Sequence, residues 1–100
     1  MSKLGNYLGL SRKANYLIIG SDNIKSYHKK MYLIILSAES SENVDKIAKS
    51  KAKEYNIKAI KFNEDLSKFI GLDGCKIVAL KNKGLSDAIL KCESEYSIVE

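Results

Sequence analysis

The chain alternates between two hydrophobic periods. Leu4, Tyr7 and Leu8 recur at helical spacing and predict a helix from Ser2 to about Lys13. Gly5 and Gly9 fall four apart on that helix. Each costs about 1 kcal/mol against alanine in a helix interior, and together they leave a flat strip for a close neighbour. Tyr16-Leu17-Ile18-Ile19 predicts a short strand stopped by Gly20. Ser21 or Asp22 can cap a second helix running to about Lys30, with Ile24, Tyr27 and Met31 on its apolar stripe. On this reading Lys25 and Lys29 share another face, one turn apart. Tyr32 to Leu36 is an unbroken apolar run of strand length, the pattern of a strand covered on both faces.

A third helix is predicted from about Glu42 to Tyr55, with Val44, Ile47, Ala48, Ala52 and Tyr55 on one stripe and Asn56 at its end. Ile57 to Phe62 predicts a third strand, and Leu66, Phe69 and Ile70 a short helix. Gly71 to Gly74 is a turn, Lys76 to Leu80 a fourth strand, Asn82 to Gly84 a loop, and Leu85, Ala88, Ile89 and Cys92 mark a last helix. Strict helix–strand alternation predicts an α/β fold, a three-layer α/β/α sandwich around a mixed four-stranded sheet. One domain over residues 1–93 is expected, followed by a loosely ordered tail over 94–100.

Composition narrows the classes. In 100 residues, 45% are hydrophobic and 29% charged, a globular balance with length for one core. No apolar run reaches the roughly 20 residues of a membrane helix, and the first residues lack the apolar stretch of a secretory leader. Two cysteines, Cys75 and Cys92, support neither a disulfide framework nor a four-thiolate zinc site. The single His28 excludes paired-histidine metal motifs. The expectation is a reduced, cytoplasmic monomer without a metal or other cofactor and without a membrane partner.

Charge adds a direction. The net charge is +5, from 17 Lys+Arg and 12 Asp+Glu. Residues 1–30 hold Lys3, Arg12, Lys13, Lys25, Lys29 and Lys30 against Asp22 alone, whereas the last residues carry Asp87, Glu93, Glu95 and Glu100 against Lys91. A basic first third faces a polyanion readily. The scarcity of arginine argues against reading base edges through bidentate forks. Enzyme chemistry finds little footing: His28 sits among lysines, the cysteines fall on core positions, and Gly71–Gly74 lacks the lysine–hydroxyl sequel of a phosphate-binding loop. Gly20-Ser21-Asp22-Asn23 is the most suggestive segment. A glycine leaving a strand and small polar residues opening a helix can hold a phosphate or meet a base edge. The same residues would serve as an ordinary helix cap.

Several stretches, in order, resemble one family. They are Leu8 to Gly20, Leu33 to Asn43, the pair Asn56-Ile57, and Leu66 to Gly74 with the strand and helix after it. Together they resemble the ribosomal-protein L-seven-Ae / L-thirty-e superfamily of kink-turn RNA binders, closest to its bacterial YlxQ/YbxF-like branch. The resemblance implies a non-enzymatic RNA-binding protein, ribosome- or structured-RNA-associated. It implies contacts from Gly20, Ser21, Asp22 and Asn23, and from a loop carrying Leu72, Asp73 and Gly74; Lys25 and Lys29, in the basic first third, would add phosphate contacts. The family pattern Gly-x-Asn-Glu-x-x-Lys sets Asp22 at its asparagine, Asn23 at its glutamate and Ser26 at its lysine, with Lys25 one place off. A second reading follows from those departures: a protein-interaction module that keeps the fold and has lost kink-turn binding.

Overall fold

Four consecutive buried residues, Leu33 to Leu36, form the strand at the centre of the fold. A computed structural model describes residues 2–99. Among them the order is α1 (Lys3–Lys13), β1 (Leu17–Ile19), α2 (Ser21–Ser26), β2 (Leu33–Leu36), α3 (Glu42–Tyr55), β3 (Lys58–Phe62), α4 (Ser67–Ile70), β4 (Ile77–Leu80), α5 (Lys83–Leu90), a 3-10 turn over Glu93–Glu95, and β5 (Tyr96–Ile98). This is a mixed α/β fold with five α-helices and a five-stranded sheet among the described residues.

The strands lie in the order β1-β4-β2-β3-β5. Only β2 and β3 run parallel, joined through α3; the other pairs are antiparallel. Alternation along each strand divides the core. Leu33, Ile35, Ile60, Phe62, Val78 and Leu80 pack with α1, α4 and α5 residues such as Leu4, Leu8, Ile70 and Ile89. Ile18, Ile34, Ala59 and Ala79 pack with Ile24 of α2 and Ala48 and Ala52 of α3. The register aligns Ile18, Ala79, Ile34 and Ala59 across four strands. The alanines on that face leave room for the small face of α3 to sit close.

The helix ends follow from local chemistry. The Ser2 hydroxyl accepts from the Gly5 N–H at 2.9 Å, the Ser41 hydroxyl from the Val44 N–H at 3.3 Å and the Asn82 side-chain oxygen Oδ1 from the Leu85 N–H at 2.8 Å. Asn56 ends α3 in the left-handed region at φ 54°. The strip of Gly5 and Gly9 meets α4: a Cβ on Gly5 would drive into the Phe69 ring.

Four expectations need correction. The sheet has five strands, not four, because Tyr96–Ile98 pairs antiparallel with β3. Residues 94–99 of the expected loose tail are therefore held, by Val99 N–H on the Ala59 carbonyl (2.9 Å), Asn63 N–H on that of Glu95 (3.0 Å) and the Tyr96 hydroxyl on that of Leu90 (2.6 Å). Glu100 lies outside the described residues. The second helix ends at Ser26, not near Lys30. The Tyr55 hydroxyl takes the Tyr27 carbonyl at 2.8 Å, and the backbone turns extended there, at φ −79°, ψ 126°. Lys29 consequently shares no helix face with Lys25. The last helix begins at Lys83, because Asn82 caps it rather than opening a loop.

No helix among the described residues is long and apolar enough to cross a membrane, and no cluster of three or more His, Cys, Asp or Glu there could hold a metal ion.

Candidate nucleic-acid interface

Antiparallel pairing of β1 with β4 sets the end of one strand beside the start of the other, with Ile19 opposite Val78. The residues that leave β1, Gly20 to Asn23, therefore face those that lead into β4, Leu72 to Gly74. Both sets line one cleft of about 490 Å³, with Val44 of α3 and Lys76 completing the wall. Some fifty positions of sequence separate the two sets.

Gly20 makes the turn from strand to helix. Its N–H reaches the Ile77 carbonyl at 3.0 Å and its own carbonyl accepts from Ile24 at 3.1 Å. Its φ of 93° with ψ of 149° is a conformation essentially confined to glycine. No side chain caps α2, and Asp22 and Asn23 are exposed. The Asn23 amide nitrogen donates to the Ile19 carbonyl at 2.8 Å, and the residue is exposed, with its amide oxygen remaining as an acceptor. At the position where the resembled family has lysine, the Ser26 hydroxyl bonds back to the Asp22 carbonyl at 3.1 Å.

The facing loop is bent by Gly71 and Gly74, both at positive φ (79° and 73°) with open space where a side chain would go. Leu72 is 39% exposed at its tip. The Arg12 guanidinium donates to the Ile70 carbonyl and so braces the loop where it leaves α4. The chain's one arginine is thereby committed to the scaffold.

Lys76 stands on the cleft wall, 3.7 Å from Glu39. The Ser67 backbone N–H, 2.9 Å away, holds the neighbouring Asp65 carboxyl below the usual range, and Lys76 adds to this. Cys75 is buried behind the wall, and burial pushes its thiol up. Of the cleft's charged side chains, Asp22 and Asp73 outnumber Lys76. Its lining offers hydrogen-bond acceptors and an apolar edge, not concentrated positive charge.

Lys25 and Lys29 are absent from the cleft. Lys25 lines a separate groove against α3, and Lys29 is exposed at a bend between α2 and β2. Sequence reasoning missed Lys76 and Val44. Lys76 reads as the first residue of a strand, and its place just after the glycine turn was the available signal. Val44 lies on the periodic stripe of α3 and reads as core, but it is only half-buried.

No family model matches the sequence, and no curated protein matches it. Among solved structures, the chain is similar to a protein with unknown function from Bacillus halodurans C, with a TM-score of 0.84 at 23% identity, covering 95% of this chain and 100% of that one. At that identity, what the two share is the fold.

Proposed function

We propose that the cleft between Gly20–Asn23 and Leu72–Gly74 is an RNA-contacting edge, and that the chain is a non-enzymatic RNA-binding protein of the kink-turn type it resembles, associated with ribosomal or other structured RNA in the cytoplasm. The carrying observation is the convergence: the two segments that the resemblance implies for RNA contact line one cleft although about fifty residues separate them. The division of the core into two clusters, each with its own helices, supports the three-layer α/β/α arrangement that the resemblance implies. A part-exposed Leu72 and an exposed Asn23 lining the same cleft suit one splayed base, packed on its face and hydrogen-bonded on its edge. Burial pushes both cysteine thiols up, the opposite direction to the lowered value of an activated nucleophile.

The test is a titration of kink-turn RNA, with the same RNA lacking its tandem G·A pairs as control. Preferential binding of the intact RNA supports the reading; equal affinity for both would sink the kink-specific part.

One observation favours a second reading, a protein-interaction module. Asp22 projects, exposed, from the edge that phosphate would approach, and the cleft holds more acidic than basic side chains. Recovery of a single protein partner after nuclease treatment, with no affinity for either RNA, would establish that reading.

A further inference from the structure

The cleft supplies shape and acceptors but little positive charge, so affinity for RNA needs cations elsewhere. They stand in the groove next to it. Between α2 and α3 lies a groove of about 320 Å³ lined by Lys25, Lys46, Asn43, Ser50 and Ile47, with Lys51 and Glu54 at its far end. The residues from α3 recur every three or four positions, so they form one stripe along the helix. From residue 43 to 54 that stripe runs about 16 Å.

The groove's single carboxylate is already neutralised. Glu54 pairs with Lys51 at 3.2 Å, and the Lys51 ammonium also sits 5.2 Å from the centre of the Tyr55 ring. Of the other acids of α3, Asp45 pairs with Lys61 at 2.9 Å, and Glu42, exposed one turn before Lys46, forms no ion pair within 4 Å among the described residues. Among the described residues, neither Lys25 nor Lys46 has a carboxylate within 4 Å. Two lysines without an ion pair thus line the groove, Lys25 from α2 and Lys46 from α3, together with the neutral donors Asn43 and Ser50.

Groove and cleft draw on neighbouring stretches of the same two helices. α2 contributes Ser21 to Asn23 to the cleft and Lys25 to the groove; α3 contributes Val44 to the cleft and its neighbour Asn43 to the groove. We infer that the α2–α3 groove is a second, sequence-independent RNA site, in which Lys25 and Lys46 hold the phosphodiester backbone of a strand that leaves the cleft. The inference rests on the RNA reading of the cleft. It moves the phosphate contacts from the turn of α2 that holds Ser26 to a path shared with α3.

The experiment compares the wild-type chain with the Lys25→Gln/Lys46→Gln variant. The probes are a kink-turn duplex and a plain RNA duplex of equal length, with salt varied over roughly 50 to 200 mM. The variant is expected to lose affinity for both probes alike. Its plot of log K against log salt should be shallower by about 1.4–1.8, two phosphate contacts' worth, with the preference between probes unchanged. Lys25→Arg/Lys46→Arg should restore the slope. Both sites are exposed, so the variants should keep the wild-type melting temperature.

A wild-type slope and affinity in the glutamine variant, with the wild-type chain binding RNA normally, overturns the groove and leaves the cleft standing. Loss of probe preference in that variant also overturns it, because the lysines would then act at the cleft. No RNA binding by the wild-type chain overturns groove and cleft together, and binding of polyglutamate in its place would assign the groove to an acidic protein.

Discussion

At Gly20 the requirement is backbone conformation alone. An added Cβ would meet nothing within 4 Å, so only the φ of 93° penalises a side chain. Gly20→Ala is expected to cost about 1–3 kcal/mol, read from the midpoint of urea unfolding. Gly5 is the opposite case. Its backbone is helical, and the obstacle is the Phe69 ring. Gly5→Ala should cost about 1–3 kcal/mol by overpacking, and much of that should disappear in a Phe69→Leu background, because the two residues share one space. Both glycines stand out in the sequence as oddities beside a helix or strand. Which is needed for its φ and which for its missing Cβ depends on what lies opposite, and Phe69 is 64 positions from Gly5. The same holds for Cys75, whose apolar role is readable from its flanks while its place behind the cleft wall is not.

Elements differ in how far their own residues specify them. α3 matches its expected span, Glu42 to Tyr55, because fourteen residues keep one period and carry a serine cap before and an asparagine after. It is tied to β3 by Asp45, which accepts from Ser40 at 2.6 Å and Lys61 at 2.9 Å. Burial by itself would raise the Asp45 carboxyl, but these hydrogen bonds and the Lys61 charge outweigh it and hold the group below its ordinary 3.8. A lowered folded pKa means that Asp45 contributes its full stabilisation above 3.8 and loses it as pH falls through the folded value. Melting temperature followed from neutral pH into that acid range should therefore drop less steeply in Asp45→Asn than in the wild-type chain. β5 is the contrary case, three residues with no period long enough to read. What holds it is the ladder to β3 and the Tyr96 hydroxyl on Leu90. Hydrogen exchange should find the Val99 and Asn63 amides, both donors in that ladder region, protected well beyond those of residues 28–30. Exchange of Val99 and Asn63 at the rate of residues 28–30 would show the tail to be loose after all.

For the molecule as a whole, the proposed interface is a product of topology. Leu72 is exposed and faces Asn23 across the cleft only because β1 and β4 are antiparallel neighbours. Leu72→Ala is expected to weaken kink-turn binding about fivefold, close to 1 kcal/mol of lost apolar contact, and to leave the salt slope unchanged. A change in slope would place Leu72 against the backbone rather than a base. Residue pattern alone sufficed for the helix–strand alternation, the central strand Leu33–Leu36, the span of α3 and the glycine turn after Ile70, since each rests on neighbours within about four residues. Tertiary contacts decided the rest. Tyr55 ends α2 by taking a carbonyl 28 positions away, β3 recruits a fifth strand, strand pairing joins the two candidate segments, and the α2–α3 groove, not the cleft, receives Lys25. The physical reason is common to all four. A local period records which face of an element is apolar, whereas a carbonyl, a sheet edge or a lysine with no local partner is satisfied by whichever distant group the packed chain brings to it.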